Sequence, residues 1–248
     1  MEARSLSAVQ WAWLLGPLAL WAVLLFGGFA FGKVDAKRTR RMPAWTRLGS
    51  SLVLAVAAWS SYAFARERAL GGAMLLVAIG MTCGFAGDVT LAEVLPIGRS
   101  VLAGMAAFGL GHIAYIAGLS LAGNQLHLDA AAPRWVALAC WLLVGLVGWY
   151  MVVRRGHEAQ ALHWAALPYA LLLAGTAGVA SGIALQAPTF VPVAVGGALF
   201  LLSDLILAAQ LFNGAYFPLI GDATWLTYGP AQALIVYGVG AALVFGAH

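Results

Sequence analysis

Long, nearly uninterrupted apolar runs dominate this chain and constrain its fold more than any other feature. Of its 248 residues, 63% are hydrophobic and only 9% are charged, and the mean hydropathy is +0.91. A water-soluble domain needs far more surface charge than this, whereas a helix that crosses a bilayer needs about 20 mostly apolar residues. The composition therefore predicts an integral, multi-pass membrane protein with no room for a soluble domain.

Eight such runs are predicted as membrane-spanning helices, at about 9–32, 44–65, 70–92, 99–121, 134–153, 162–185, 190–213 and 225–246. Backbone polar groups in lipid must be satisfied within the segment or within a closed barrel. Runs this long are typical of helices and not of the alternating strands of a barrel. The predicted fold class is an all-α polytopic membrane protein, in which 1–248 forms one transmembrane bundle. The first run is too long for the apolar region of a signal peptide and is predicted as span one.

Lysine and arginine are distributed unevenly between the two sides of this bundle. Nine lie on the side of the first loop and four on the other: Lys33, Lys37, Arg38, Arg40, Arg41, Arg47, Arg99, Arg154 and Arg155, against Arg4, Arg66, Arg68 and Arg134. The asymmetry predicts a cytoplasmic first loop and outward-facing termini, in a bacterial-type inner membrane. It also accounts for the net charge of +4, so no nucleic-acid partner is implied, and the basic loop is expected to contact anionic lipids.

Two of the nine acidic residues, Asp88 and Asp204, fall within predicted spans. Glu93 falls at the end of one span, and the other six, Asp222 among them, fall in loops or tails where solvation explains them. A charge at the bilayer centre costs about 2.5–3.5 kcal/mol on insertion scales, so both carboxyls are expected to face the bundle interior. Both lie in the half of the membrane nearer the first loop, where they could meet as an acid and a base. A polar contact between helices is the structural alternative.

Polar side chains also share faces on spans four and eight. His112 and Tyr115 follow Phe108 on one face of span four, and Tyr228 and Gln232 share a face of span eight. His112 is interpreted either as a buried, hydrogen-bonded packing residue or as a proton-relay or substrate-orienting group. Tyr228 is either an interfacial anchor or a site residue, whereas the Gln232 amide needs partners in lipid.

An internal similarity relates spans three and seven. GDVTLA at 87–92 and SDLILA at 203–208 share the pattern Asp-x-x-Leu-Ala, and the offset that joins Asp88 to Asp204 also joins His112 to Tyr228. Internal repeats of this kind are common in membrane proteins. The pattern favours a bundle of two parallel halves with four helices each.

The chain resembles the YhhN / lysoplasmalogenase family of eight-span membrane proteins in three stretches, GDVTLAEVLPIGRSVLAGMAAFGLGHIAY (87–115), LFLLSDLILA (199–208) and TYGPAQALI (227–235). The family's motif positions are matched by Asp88 in span three, by Phe108, His112 and Tyr115 in span four, by Ser203 and Asp204 in span seven, and by Tyr228 and Gln232 in span eight. Gly229 stands where a second Tyr is common in the family, so no role is expected for a second hydroxyl there.

The resemblance implies hydrolysis of the sn-1 vinyl ether of lysoplasmalogens, which releases a fatty aldehyde and glycerophosphoethanolamine or glycerophosphocholine. It implies Asp88 and Asp204 as catalytic acid and base, in an order that is left open. Residues that orient water or substrate are then His112, Tyr115, Ser203, Tyr228 and Gln232. Protonation of the β-carbon, addition of water to the oxocarbenium ion and collapse of the hemiacetal need one neutral acid, one ionised group and an apolar slot. The implied partners are a lysophospholipid, its phosphate near Arg or Lys, and membrane lipids, without a cofactor.

Two other functions fit the same residues. One is a different membrane lipid hydrolase on the same scaffold. A metal-dependent form of it would use Asp88, His112 and Asp204 as ligands, although three mixed ligands without close spacing are a weak pattern and no metal is expected. A proton-coupled transporter or a lipid-binding protein would use buried Asp and His side chains as a relay. Cys83 and Cys140 belong to no ligand pattern and are predicted as packing residues.

Overall fold

A computed structural model describes residues 7–92, 100–156 and 160–245 of the chain. These ranges contain eight long helices and no strand: α1 (Ala8–Phe31), α2 (Ala44–Ala65), α3 (Gly71–Leu91), α4 (Val101–Gln125), α5 (Ala131–Arg154), α6 (Ala161–Ala184), α7 (Pro188–Asn213) and α8 (Ile220–Phe245). A π-helical turn interrupts α1 at Val23–Gly27 and ends α5 at Tyr150–Arg154, and α7 opens with a 3-10 turn at Pro188–Phe190. Glu93 and Arg99, which entered the sequence predictions, lie outside the described residues, as does Arg4.

The helices have the length and apolar character of membrane spans. Within the described ranges, α1 to α7 are long and apolar enough to cross a membrane by length and composition, and α8 is 26 residues long. Large apolar side chains such as Leu110 and Ile113 are exposed on the outside of the bundle, 60% and 51% respectively, as contact with lipid tails requires. The prediction of an all-α, polytopic membrane protein is confirmed at this level, and the number of eight spans stays a prediction.

The start of α8 differs from the predicted span. The helix begins at Ile220, five residues before the predicted boundary of 225, and Asp222 lies in its first turn. The Asp222 carboxylate is fully buried and accepts the backbone N–H groups of Arg41 (2.5 Å) and Met42 (3.0 Å). The expectation that Asp222 is a solvated loop residue is therefore wrong. The Asp222 carboxylate binds the basic first loop to α8, and its negative charge is favourable in the first turn of a helix.

The helix α4 is also longer than its predicted span. It ends at Gln125, four residues beyond the predicted boundary of 121. Its last turn carries the polar side chains of Asn124 and Gln125, and the Asn124 side chain accepts a hydrogen bond from Arg134 (2.8 Å). Hydropathy does not predict that this turn is helical, because its side chains are polar and are stabilised by a hydrogen bond from a neighbouring residue.

The helices pack in a closed order around a common interior. Contacts join α2 to α3, α3 to α4, α4 to α6, α6 to α7 and α7 to α8, and α8 returns to α2 and α3. The helix α1 packs outside this ring against α2, and α5 packs against α6 and, through its last turns, against α7. The same packing order therefore recurs in α1–α4 and α5–α8. This agrees with the hypothesis of two parallel halves, which stays a prediction.

A glycine face on α3 allows its neighbours to approach closely. A Cβ atom at Gly84 would lie 2.6 Å from the Gln232 Nε2 atom, and one at Gly87 would lie 2.6 Å from the Phe108 ring. Small residues are typical where membrane helices pack closely. These two glycines bring side chains of α8 and α4 against the turn of α3 that carries Asp88.

Candidate active site

One cavity contains both carboxyl groups singled out by the sequence. Asp88 and Asp204 line it at the end of the bundle that carries the first loop, 32–43, which we call the basic end. Its volume is about 230 Å³, far above the roughly 10–15 Å³ that one water molecule requires. The cavity is therefore large enough for a substrate segment and not only for a bridging water.

The walls of this cavity are chemically divided. Around Asp88 they carry the polar and basic side chains of Arg40, Arg47, Thr224 and Tyr228 beside the rings of Phe108 and Trp225, and we call this part the polar end. Beyond Asp204 they are apolar and belong to one packed cluster from four helices, which we call the apolar arm: Met105, Trp149, Val153, Ala166, Ala170, Ala208 and Phe212. The two carboxyl groups thus lie where a polar region meets an apolar one.

Asp88 is held by two hydroxyl groups from different helices. Its Oδ2 atom accepts hydrogen bonds from Ser51 of α2 (2.5 Å) and from Tyr228 of α8 (2.8 Å). The side chain lies in the last turn of α3 and the residue is only 5% exposed. Arg47 lies one helical turn before Ser51 on α2. Hydrogen bonds from α2 and α8 therefore fix the orientation of this carboxylate toward the polar end.

A chain of hydrogen bonds continues behind Asp88, away from the cavity. The Tyr115 hydroxyl donates to Gln232 Oε1 (2.7 Å), and Gln232 Nε2 donates to the Tyr228 hydroxyl (3.2 Å). All three side chains are buried. The Gln232 amide, which needed partners in an apolar span, thus connects α4 to α8 and orients the tyrosine that binds Asp88.

Asp204 has a simpler environment. It accepts a hydrogen bond from the Tyr169 hydroxyl of α6 and is half-buried. The preceding residue, Ser203, is buried and donates to the Thr224 carbonyl of α8 (3.1 Å), so it fixes the backbone beside Asp204. Asp204 thus depends on α6 for its side-chain contact and on α8 for its backbone position.

His112 lies behind the cavity wall and does not line it. Its Nδ1 atom is hydrogen-bonded to the Thr176 hydroxyl of α6 (2.9 Å), and its ring packs edge-on against Phe200 at 4.4 Å between centroids. Phe200 in turn packs against Tyr228 at 5.1 Å. This arrangement connects α4 and α6 beneath the site and supports the tyrosine that binds Asp88. Within the described part of the chain, no three or more His, Cys, Asp and Glu side chains are grouped so as to hold a metal ion.

Comparison with known protein families identifies the family of this chain. A model of the YhhN family matches residues 42–239. The chain belongs to the YhhN family. The match begins just before α2 and continues into α8, so it includes both carboxyl groups and, apart from Arg40, the residues that line the cavity. No curated protein and no solved structure matches the chain.

The seven residues that the sequence predicts as catalytic or orienting lie within the matched range, in two layers. Those on the cavity wall are Asp88, Ser203, Asp204 and Tyr228, and those behind it are His112, Tyr115 and Gln232. Sequence reasoning missed Ser51 and Tyr169, which supply hydrogen bonds to the two carboxyl groups. The only sign of either in the sequence is a hydroxyl group within an apolar span, and many such groups bond only to their own backbone.

Proposed function

We propose that the protein is a lysoplasmalogenase, which hydrolyses the sn-1 vinyl ether of a lysoplasmalogen to a fatty aldehyde and glycerophosphoethanolamine or glycerophosphocholine. Membership of the YhhN family supports a function of this type at the level of the family. The proposal rests on the cavity, where Asp88 and Asp204 lie between the polar end and the apolar arm.

A lysoplasmalogen has the same division of chemistry along its length. Its alkenyl chain is apolar, its head group carries a phosphate, and the vinyl ether lies between them. With the chain in the apolar arm and the phosphate toward Arg47, the vinyl ether lies beside Asp88 and Asp204. Binding of both ends of the substrate positions the reacting carbons against the carboxyl groups, which is a large part of catalysis by proximity.

The positions of the two carboxyl groups suggest their roles. The β-carbon of the vinyl ether is farther from the head group than the α-carbon is, so it lies nearer the apolar arm and Asp204. Asp204 therefore donates its proton to the β-carbon while its other oxygen accepts the Tyr169 hydrogen bond. The product is an oxocarbenium ion, which the carboxylate of Asp88 stabilises from the polar end.

Hydrolysis is completed by water at the α-carbon. Asp88 accepts a proton from the water as its oxygen bonds to that carbon, and a hemiacetal forms. The bond between this carbon and the glycerol oxygen then breaks: Asp88 gives its proton to the glycerol oxygen, the hemiacetal hydroxyl gives its proton to the Asp204 carboxylate, and the aldehyde is released. Ser51 and Tyr228 keep Asp88 oriented throughout this step. The net reaction consumes one water and returns both carboxyl groups to their starting states.

A product assay tests this proposal directly. Purified protein is offered a mixture of lysophospholipids with vinyl-ether, alkyl-ether and acyl chains, and products are identified by mass spectrometry with and without a chelator. We expect fatty aldehyde from the vinyl-ether lipids alone, in equal amount to the glycerophospho-base, and no effect of chelation. Release of fatty acid from acyl lipids, or loss of turnover on chelation, would assign a different hydrolase. Lipid or solute uptake into liposomes without any product would assign a transporter.

A further inference from the structure

We propose that Arg47 and Arg40 form a binding site for the phosphate group of the lipid at the polar end of the cavity. The inference rests on the proposed function for the identity of the lipid, and on the contacts of the two arginines for the site itself. It gives the cavity a second anchor, separate from the carboxyl groups that perform the reaction.

Arg47 is a buried cation that forms no ion pair with any of the described residues. The residue is 6% exposed, its guanidinium carbon lies 5.4 Å from the centre of the Trp225 ring, and its buried Nε atom has no hydrogen-bond partner among the described residues. The ion pair found in the described ranges, Arg66–Glu67, is at the surface. Asp88 and Asp222 attract Arg47 only from beyond ion-pair distance, and the oxygens of Asp222 accept backbone N–H groups. Because a buried charge without a close, hydrogen-bonded partner is costly, an anion that enters the cavity would stabilise Arg47.

Arg40 reaches the same space from the first loop. Its Nε atom is also buried without a hydrogen-bond partner in the described part of the chain, and it lies 3.1 Å from where a Cβ atom at Gly221 would be. The loop is fixed on both sides of this side chain. Asp35 accepts the backbone N–H of Thr39 (2.7 Å) and of Arg40 (3.2 Å), and the Thr39 carbonyl accepts the Gly221 N–H (2.8 Å). Arg40 is thus held against the cavity wall, and a larger residue at 221 would displace it.

The chemistry of the two arginines, and the distance along α2 from Arg47 to Ser51, suit a phosphate diester. Guanidinium groups present planar, paired N–H donors that match phosphate oxygens. Arg47 lies four residues of α2, about 6 Å along the axis, before Ser51, which binds Asp88. In a lysoplasmalogen the three-carbon glycerol separates the sn-1 ether oxygen from the phosphate by a comparable length. A phosphate at Arg47 therefore places the vinyl ether beside the carboxyl groups.

Binding of ligands that the protein cannot hydrolyse tests this site without turnover. The probes are a 1-O-alkyl lysophosphatidylcholine and the 1-O-alkyl glycerol that lacks only the phosphocholine group, with inorganic phosphate as a competitor. The variants are Arg47→Gln, Arg47→Lys and Arg40→Gln, and the matched control is Arg38→Gln, an exposed arginine of the same loop. Thermal melting and gel filtration establish that each variant is folded. If Arg47→Gln is not folded, Arg47→Lys and Arg40→Gln provide the test.

We expect Arg47→Gln to weaken binding of the lysophospholipid about 10- to 100-fold, as for loss of a charge-assisted hydrogen bond, and to change binding of the alkyl glycerol by less than twofold. Arg47→Lys and Arg40→Gln are expected to lose less, and Arg38→Gln nothing. Equal weakening of both lipids by Arg47→Gln, or none, would overturn the proposal. Inorganic phosphate that binds as tightly as the lipid would overturn the lipid assignment. A failure to release aldehyde would leave these binding results unchanged, so the two proposals fail separately.

Discussion

The two carboxyl groups occupy matching positions in two similar sequence stretches, yet their surroundings differ. Asp88 in GDVTLA is 5% exposed and accepts hydrogen bonds from Ser51 and Tyr228. Asp204 in SDLILA is half-buried and accepts one from Tyr169, beside the apolar arm. The local pattern Asp-x-x-Leu-Ala therefore does not determine the environment of the carboxyl group, because the partners come from other helices.

This difference is what an acid–base pair requires. Two identical carboxyl groups in one apolar cavity would compete for the same role, whereas two different environments separate the roles. The donors around Asp88 suit a carboxylate that stabilises a cation and activates water. Asp204, at the entrance to the apolar arm, lies where a proton must reach a carbon of the lipid chain. The different hydrogen-bond partners of Asp88 and Asp204, more than their shared sequence pattern, define the proposed site.

The largest expected effect comes from removing either carboxyl group, and isotope exchange tells the two apart. We expect Asp88→Asn and Asp204→Asn each to lower turnover of lysoplasmalogen by about 100- to 10,000-fold, the usual contribution of a general acid or base. In D₂O, Asp88→Asn still protonates the β-carbon reversibly, so recovered substrate should carry deuterium there. Asp204→Asn should return unlabelled substrate. Mass spectrometry of the recovered lipid measures both.

The reverse labelling pattern, with exchange in Asp204→Asn and none in Asp88→Asn, would exchange the roles of the two residues. Exchange in neither variant would mean that protonation requires both carboxyl groups at once. Both variants keep the size of the side chain, and their melting temperatures in detergent control for loss of the fold.

A smaller effect is expected from the hydroxyl groups that bind each carboxylate. Tyr169→Phe removes the side-chain donor that the described structure provides to Asp204, so we expect kcat to fall about 10- to 100-fold. Tyr228→Phe leaves Ser51 bound to Asp88, so kcat should fall by about tenfold or less. Tyr237→Phe is the matched control, since its hydroxyl donates to the Leu14 carbonyl away from the cavity. A larger loss in Tyr228→Phe than in Tyr169→Phe would contradict the comparison.

Most of the fold was predictable from the sequence because length and apolarity dictate helices in a membrane. The boundaries of α2 were predicted to the residue, since Pro43 precedes the helix and the polar segment after Ala65 follows it. The start of α8 was missed because Asp222 reads as a loop residue when only solvation is considered. Its true partners are backbone N–H groups of the first loop, about 180 residues away along the chain.

The site was predictable only in part, for a related physical reason. A carboxylate in a span is costly, so Asp88 and Asp204 were visible in the sequence without any partner being known. Ser51 and Tyr169 are not conspicuous in this way, because a hydroxyl group in a span can donate to its own helix, as Thr82 does to the Ala78 carbonyl. Arg47 counts in the sequence only as one of the cations on the side of the first loop, and its burial follows from the packing of α2 against α8.

The smallest effect on turnover is expected for the region beneath the site, and it tests whether His112 orients substrate or supports the fold. Thr176→Val keeps the shape of the side chain but removes its hydrogen bond to His112 Nδ1. A buried polar group left without a partner costs about 1–3 kcal/mol, so the melting temperature in detergent should fall. Because His112 lies behind Phe200 and not on the cavity wall, kcat should stay within about twofold. A tenfold loss of kcat in a variant that melts normally would instead place His112 in the reaction.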